Sequence, residues 1–306
     1  MALATSEEAA DRDSVPVRRR LSAALYRRPR ARLGLLLLPP LGWMLVVYLG
    51  ALALLFATAF WRLDPLTSAI QRTWGLQNFR TLLSDSVYRV ITARTVGIAA
   101  AVTLTDIALA FPLAYYAARL ATPRARAGLL VGVTLPLWSS YLVRVFAWKA
   151  ILAGNGVADW SVQHLLHLGS LEIGGSNWAV WLTFSYLWLP FVILPIYASI
   201  ERIPSSYLEA SSDLGARGWT TFRQVMLPLA LPGVVAASIF SFSLTLGDYI
   251  TPTLVGNRLF IGNVVFNFVS GTSNQLPLGA AFALVPVVIM AFYLWVAKRL
   301  GAFEAL

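Results

Sequence analysis

Six long apolar runs decide what this chain can fold into. An α-helix rises about 1.5 Å per residue, so about 20 residues cross the ~30 Å hydrocarbon core of a bilayer. Inside lipid every backbone polar group needs a partner, and a helix supplies these partners within itself. The sequence therefore predicts an all-α polytopic membrane protein with six transmembrane helices, at residues 33–60, 94–118, 128–152, 178–200, 229–250 and 279–297.

The composition agrees with burial in lipid and limits the chemistry of the chain. Of the 306 residues, 58% are hydrophobic and 12% are charged, whereas soluble domains carry about 25% charged residues. There is no cysteine, and the spacing of phosphate-binding loops, zinc proteases and serine hydrolases does not occur. His164 and His167 have no third metal ligand nearby in the sequence. We therefore expect no catalytic residue, no metal site and no ATP bound by the chain itself.

Basic residues are concentrated in four segments that six crossings place on one side of the membrane. These segments are an arm at 1–32, a connector at 119–126, a loop at 201–228 and the end after residue 297. Because basic loops stay in the cytoplasm, we expect both termini there. The predicted domains are the cytoplasmic arm 1–32, a transmembrane domain 33–300 that includes the 201–228 loop, and a tail 301–306. Orientation and lipid headgroups account for the charge of +10, so nucleic acid is not an expected partner.

The 201–228 loop has a pattern of its own. Ser206 and Glu209 have the spacing of a capping box. Tyr207, Ala210 and Leu214 then fall on one face of a short helix. Gly215 is placed to end that helix in the left-handed conformation. A second short helix follows, capped by Thr220 or Thr221, and it must stop before Pro228. Such an elbow suits a groove on a soluble partner; the alternative is a tight connection between two membrane helices.

The loop residues resemble the "EAA" signature of ABC importer permease subunits. Glu209 and Ala210 are followed by Gly215, and Val-x-Leu-Pro begins ten residues beyond that glycine. Ser211 stands where alanine is usual, and Val225 stands where isoleucine is commoner. Further stretches resemble the spermidine/putrescine-type permeases, namely Leu135-Pro136-Leu137-Trp138-Ser139-Ser140 with Arg144, Ile261-Gly262-Asn263-Val264, and Pro277-Leu278-Gly279-Ala280-Ala281.

The resemblance implies a type I ABC importer permease fold in a bacterial cytoplasmic (inner) membrane. It implies a second, distinct permease subunit, two ATPase subunits that carry ATP and Mg²⁺, and an extracytoplasmic substrate-binding protein. No cofactor is expected on this chain. The implied solute is spermidine or putrescine. Relatives that move ferric iron, phosphonate, thiamine or opines have much of the same sequence pattern, so these solutes are the alternatives. A stand-alone channel or secondary carrier is the alternative of another class. The implied ATPase-coupling residues are Glu209, Ala210, Ser211, Asp213, Leu214, Gly215, Val225, Leu227 and Pro228.

Placing a polar side chain in lipid costs free energy, so we expect each polar residue inside the apolar runs to have a structural or functional role. Asp106 belongs to a small or polar stripe that should face the protein interior, with Thr95, Ala99, Thr103 and Ala110. It is either part of a solute pathway or bonded to a serine or threonine of a neighbouring helix. A second stripe, Ser238, Ser241, Thr245 and Asp248, suggests the lining of an aqueous route. Asp248 is either a solute contact or a carboxylate at the membrane interface.

Aromatic residues repeat along the third and fourth apolar runs. Trp138 and Tyr141 share a face of one, and Trp181 lies on the other. Aromatic rings near the ends of membrane helices commonly anchor a protein at the membrane interface. The alternative is that these rings line a cavity for a cationic ligand. The predicted pathway residues are therefore Asp106, Ser238, Ser241, Thr245, Asp248, Tyr249, Trp138, Tyr141 and Trp181.

Overall fold

The computed structural model describes residues 29–64, 67, 69–165, 167, 170, 173–270 and 275–299. Most of the predicted arm 1–32 and the predicted tail 301–306 lie outside the described residues. The chain divides into two compact units, Met1–Ala57 and Thr58–Leu306. The first unit contains helix α1 (Pro29–Trp43), a π-helical segment (Met44–Leu49) and most of α2 (Gly50–Ala59). Together they form a helix of membrane length at Leu33–Ala59, which confirms the first predicted span.

The second unit is helical apart from one antiparallel hairpin, formed by β1 (Arg62–Leu63) and β2 (Ile70–Gln71). The first half of its helices comprises α3 (Gln77–Ser84), α4 (Ser86–Tyr115) with a π-helical extension (Tyr116–Leu120), α5 (Pro123–Thr134) with a 3₁₀ turn (Leu135–Trp138), α6 (Tyr141–Leu152) and α7 (Val157–Leu165). The second half comprises α8 (Asn177–Glu201), α9 (Ser205–Asp213), α10 (Gly218–Thr221), a π-helical turn (Phe222–Met226), α11 (Leu227–Gly247), α12 (Ile250–Val255), α13 (Ile261–Val269) and α14 (Leu276–Arg299).

Five of the six predicted spans are continuous helices of membrane length, and the third is broken. The segments Pro123–Trp138 and Tyr141–His164 are bent by 95° relative to each other. Pro136 lacks the N–H that would continue the helix. The hydroxyl and the amide of Ser139 both donate to the carbonyl of Pro136, at 2.7 and 3.2 Å, and close the turn there. The predicted uninterrupted helix at 128–152 is therefore wrong, although six crossings remain when the bent pair counts as one.

Helix α4 begins eight residues before the predicted boundary at 94 because an aspartate caps it. The Oδ1 atom of Asp85 accepts from the amide of Val87 at 2.9 Å, and this pairs one of the amides that a helix start leaves free. The added turns, residues 86–93, include the charged Arg89.

Replacing Asp85 by alanine is expected to lower the free energy of unfolding by about 1 kcal/mol, since a lost N-cap typically has that effect. Asp85→Asn keeps an acceptor at the same place and is the matched control. Thermal unfolding of the detergent-solubilised protein measures the difference. Equal midpoints for the alanine and asparagine variants would contradict the capping role.

Helices α4, α8 and α11 form the centre of the second unit. Their buried residues are small where the helices approach closely, with Ala110, Ala114, Ala230 and Ala237 all fully buried. Helices α4 and α8 run in the same direction, and α11 runs opposite to both. Arg119 at the end of α4 contacts the end of α8, whereas Tyr88 near the start of α4 packs on Phe282 near the start of α14. We call the first of these the loop end, because it carries residues 201–228, and the second the far end.

Candidate functional site

The 201–228 loop is a helical elbow, and its first helix starts differently from the prediction. Helix α9 begins at Ser205 with Pro204 as the N-cap, and no side chain caps it. The proline ring fixes φ near the −62° found at this position. Ser206 then lies within the first turn, where it cannot take the cap position. The predicted capping box of Ser206 and Glu209 is therefore wrong, and the Glu209 side chain is exposed.

Gly215 ends α9 as predicted. Its φ is +77°, a value that glycine adopts without the steric cost of a Cβ atom. The amide of Ala216 donates to the carbonyl of Ser211 at 3.1 Å, and the amide of Gly215 donates to the carbonyl of Ser212 at 2.9 Å. This pair of bonds is the Schellman motif, and it fixes the angle at which the chain leaves α9.

The second half of the elbow is continuous with the fifth membrane helix. Helix α10 follows Arg217 without a side-chain cap and runs through the π-helical turn into α11. In that turn the amide of Leu227 donates to the carbonyl of Phe222, and Pro228 occupies the start of α11, where no amide donor is needed. The predictions of a cap at Thr220 or Thr221 and of a stop before Pro228 are therefore wrong. The Thr221 hydroxyl instead bonds that of Ser211, at 2.9 Å.

The two halves of the elbow enclose an open groove of about 830 Å³. Its apolar rim is highly accessible, with Leu214 88% and Tyr207 52% exposed. Glu209 and Asp213 are exposed one turn apart on α9. Of the predicted coupling residues, the groove is lined by Ala210, Ser211, Leu214, Gly215 and Val225. Exposed apolar patches that are rimmed by polar residues are typical of interaction surfaces.

Asp106 faces the protein interior, as predicted. It is fully buried, and its Oδ2 atom accepts from the Ser241 hydroxyl at 2.7 Å. This bond joins the middle of α4 to the middle of α11. Of the two alternatives drawn from the sequence, the bond between neighbouring helices is thus present in the structure.

The serine stripe of α11 is buried against its neighbours. Ser238 accepts from the Tyr293 hydroxyl of α14 at 2.7 Å, Ser241 bonds Asp106, and Thr245 donates to the carbonyl of Ser241 at 2.8 Å. These side chains are at most 7% exposed. The stripe therefore forms a polar seam between helices in this conformation.

Asp248 lies at the far end, between α11 and α12, with both carboxylate oxygens bonded. Its Oδ1 atom accepts from the amides of Ile250 and Thr251 at 2.7 and 3.1 Å, and so pairs two amides of the first turn of α12. Its Oδ2 atom accepts from the Tyr141 hydroxyl of α6. The Tyr141 and Thr251 hydroxyls are themselves 2.7 Å apart. The structure thus brings together two predicted residues that are separated by more than a hundred positions in the sequence.

The aromatic residues divide into exposed and packed groups. Trp138 is 90% exposed in the turn between α5 and α6. The indole nitrogen of Trp181 donates to the Thr105 hydroxyl at 3.2 Å, and the ring of Tyr141 stacks on Trp188 at 6.0 Å. Tyr249 stacks on Phe266 at 4.5 Å and borders an apolar cavity of about 500 Å³.

Two residues that support the far end were not predicted from the sequence to have this role. The Asn263 side chain donates to the carbonyl of Tyr249 at 2.9 Å and accepts from the amide of Phe260 at 3.0 Å. A Cβ atom at Gly262 would lie 2.6 Å from the carbonyl oxygen of Asp248. Both residues occur in a stretch that the sequence singled out only for its resemblance to permeases. Its Gly-Asn pair, typical of close backbone approach, was the available signal.

These features define a class of protein: a polytopic helical membrane protein with a polar seam in its core and a structured elbow at one end. Among the described residues there is no group of three His, Cys, Asp or Glu side chains placed to hold a metal ion. The chain belongs to the family of binding-protein-dependent transport system inner membrane components, whose model matches residues 110–302. It is a permease subunit of an ABC transporter, which confirms the resemblance found in the sequence.

Two curated relatives support this membership along nearly the whole chain. One is the inner membrane ABC transporter permease protein YdcU of Escherichia coli (strain K12), 44% identical over 300 residues, which are 94% of this chain and 95% of the relative. The other is the spermidine/putrescine transport system permease protein PotB of Salmonella typhimurium (strain SL1344), 30% identical over 269 residues, which are 85% of this chain and 91% of the relative.

Solved structures confirm the predicted permease fold. A chain of a bacterial alginate ABC transporter, in complex with an alginate pentasaccharide-bound periplasmic protein, matches with a TM-score of 0.68 at 16% identity, over 92% of this chain and 98% of that chain. A chain of the MetNI methionine ABC transporter in an inward facing conformation matches with a TM-score of 0.54 at 15% identity, over 72% of this chain and 96% of that chain.

Proposed function

We propose that this subunit forms half of the pore of an ATP-driven importer of polyamines. A second permease chain completes the pore, two ATPase subunits bind ATP and Mg²⁺, and an extracytoplasmic protein delivers the solute. The observation that carries the ATP coupling is the exposed elbow of α9 and α10, with Glu209, Leu214 and a groove available to a soluble partner. The polyamine solute is supported by 30% identity, over 85% of the chain, to a spermidine/putrescine permease.

We place the loop end and both termini in the cytoplasm. The loop end carries Arg124, Arg202, Arg217 and Arg223 as exposed bases, and positive loops stay on the side of synthesis. The elbow then faces the compartment that contains the ATPase subunits.

The elbow can transmit a displacement from a bound ATPase subunit to α11. Its Schellman motif and the bond between Ser211 and Thr221 hold α9 and α10 at one angle. The second helix continues into α11 without a break. When the ATPases close on ATP, we expect the two elbows of the pore to approach each other and α11 to move with its elbow.

The pathway then follows α11 through the membrane. We propose that the movement of α11 with its elbow gives a solute access to Asp106 and the serine stripe, whose oxygens can accept from ammonium groups. Tyr249, Trp138 and Trp181 would add ring faces that attract cations. Asp248 and Tyr141 would hold the wall at the far end, since their polar atoms already bond each other and α12.

The test uses the complete transporter in proteoliposomes that contain ATP, with the binding protein and labelled spermidine outside. Gly215→Pro removes the amide bond to Ser212 and cannot adopt a φ of +77°. Glu209→Lys reverses an exposed charge of the elbow. Both variants are expected to lower ATP-driven uptake by at least about tenfold while the protein still inserts.

Gly218→Pro is the matched control in the same loop. Gly218 is the first residue of α10, and Arg217 before it is extended with ψ of 157°, which is where proline is well tolerated. Uptake by Gly218→Pro should equal that of the wild type. Undiminished uptake in both Gly215→Pro and Glu209→Lys would refute the coupling role. Uptake of a phosphonate or ferric iron in place of spermidine would refute the proposed solute.

A further inference from the structure

Two arginines of the 119–126 connector, used above only to orient the chain, make specific contacts at the loop end. Arg119 lies in the π-helical extension of α4, and Arg126 lies in the first turns of α5. Both side chains are partly buried. Each turns back toward the carboxyl ends of α4 or α8, where helices leave their last carbonyls without partners.

Arg119 binds the end of α8 directly before the elbow. Its Nη2 atom donates to the carbonyls of Ile200 and Ile203, at 2.6 and 2.5 Å. Both isoleucines are buried, and α9 begins two residues after Ile203. A cation is favoured here because the C-terminal end of a helix carries partial negative charge. The contact fixes the point from which the elbow leaves the membrane helices.

Arg126 extends this connection to a carboxylate. It donates to the carbonyls of Ala117 and Ala118 at 3.1 and 3.3 Å and to Glu201 Oε1 at 3.1 Å. Its side chain is 36% exposed and that of Glu201 is 45% exposed, so their ion pair contributes little by itself. Arg119, with bonds to two buried residues, is therefore the principal member.

The elbow touches α4 a second time on its other flank. The ring of Phe222, in the π-helical turn after α10, meets the ring of Phe111 of α4 edge to face at 5.5 Å. The chain thus contacts α4 both where it enters the elbow and where it leaves it. Because packed elements move as units rather than deform continuously, a displaced elbow carries α4 with it.

We infer that Arg119, supported by Arg126 and Glu201, is a brace that transmits the movement of the elbow to α4. Through it α4, which holds Asp106, moves together with α11 when the ATPases close. Arg119 is thus a positioning residue for transport, separate from the surface that the ATPase contacts. This inference rests on the function proposed above.

The test is Arg119→Met in the assembled transporter, with ATP hydrolysis and spermidine uptake measured on the same proteoliposomes. Methionine keeps the length and packing of the stem but donates no hydrogen bond. Uptake per ATP hydrolysed is expected to fall about tenfold while hydrolysis stays near the wild-type rate. Arg119→Lys, which can still donate to one carbonyl, should recover part of the loss. Arg124→Met is the control, because Arg124 lies on the same helix as Arg126 but its side chain is exposed.

A merely structural arginine gives a different result. Uptake and hydrolysis would then fall together, in proportion to the amount of assembled complex, and that outcome overturns the brace. Equal behaviour of Arg119→Met and Arg124→Met overturns it as well. If both Gly215→Pro and Arg119→Met transport spermidine normally, the proposed function is refuted. If Arg119→Met transports normally and Gly215→Pro does not, only the role of Arg119 as a brace is refuted.

A second measurement does not depend on the folding of any arginine variant. The chain has no cysteine, so Ser212→Cys on α9 and Leu109→Cys on α4 place two unique spin labels at exposed positions. If Arg119 braces the elbow against α4, then α9 and α4 move together, and we expect the same distance between the labels with and without ATP. A distance that changes on ATP binding would show that the elbow moves independently of α4 and would overturn the inference.

Discussion

Gly233→Leu is expected to prevent the second unit from folding. Gly233 of α11 faces α8, and a Cβ atom at this position would lie 2.3 Å from Ser199 Cβ and 2.7 Å from the carbonyl oxygen of Pro195. Overpacking in a core costs about 1–3 kcal/mol when side chains can adjust. The Pro195 oxygen belongs to the backbone and cannot rotate away, so the cost here should exceed that range. The measurement is the fraction of the expressed protein that elutes as a single species after mild detergent extraction.

Gly247→Leu is the matched control for this prediction. Gly247 ends the same helix, and a Cβ atom there meets no neighbour within 4 Å. We expect a wild-type elution profile for Gly247→Leu and aggregated or degraded protein for Gly233→Leu. Similar yields of folded protein from both variants would show that α8 and α11 are not held at the distance seen in the structure.

The membrane helices and the end of α9 could be predicted because their causes are local. A run of apolar residues requires a helix in lipid wherever it occurs in the chain. Gly215 ends α9 because neighbouring carbonyls need partners and only a glycine adopts the required φ easily. Asp106 was placed in the interior by the cost of a carboxylate in lipid, and that argument needs no partner to be known.

The incorrect predictions concern competing local signals. Ser206 and Glu209 have capping-box spacing, but Pro204 occupies the cap first. Pro228 signals a helix stop, but a π-helical turn before it places the ring at a helix start, where it is tolerated. In the first case a neighbouring proline decided the outcome, and in the second case the π-helical turn before the proline did.

The contacts that define the site could not be predicted because they join distant segments. Arg119 reaches carbonyls 81 and 84 positions later, and Tyr141 reaches Asp248 across 107 positions. Carbonyl oxygens leave no trace in a sequence, since every residue has one. The arginines were therefore assigned a role in orientation only, and the pairing of Tyr141 with Asp248 appears only in the folded chain.

Asp248 determines the second large effect, because four donors bond its two oxygens. They are the amides of Ile250 and Thr251 and the hydroxyls of Tyr141 and Thr251. Replacement by alanine leaves these donors without their acceptor in a half-buried site, and each unpaired buried group costs about 1–3 kcal/mol. We therefore expect Asp248→Ala to loosen α12 from α6 and to reduce uptake to near background.

The choice between Asp248→Asn and Asp248→Glu separates the two roles considered for this residue. Asparagine keeps one short oxygen that can cap α12, whereas glutamate keeps the charge but places it one methylene farther away. If Asp248 supports the wall of the pathway, Asp248→Asn should transport spermidine better than Asp248→Glu. The reverse order would show that the charge acts on the cationic solute itself. Tyr141→Phe is the companion variant: under the supporting role it adds little to the defect of Asp248→Ala, because residues in one hydrogen-bond network are not additive.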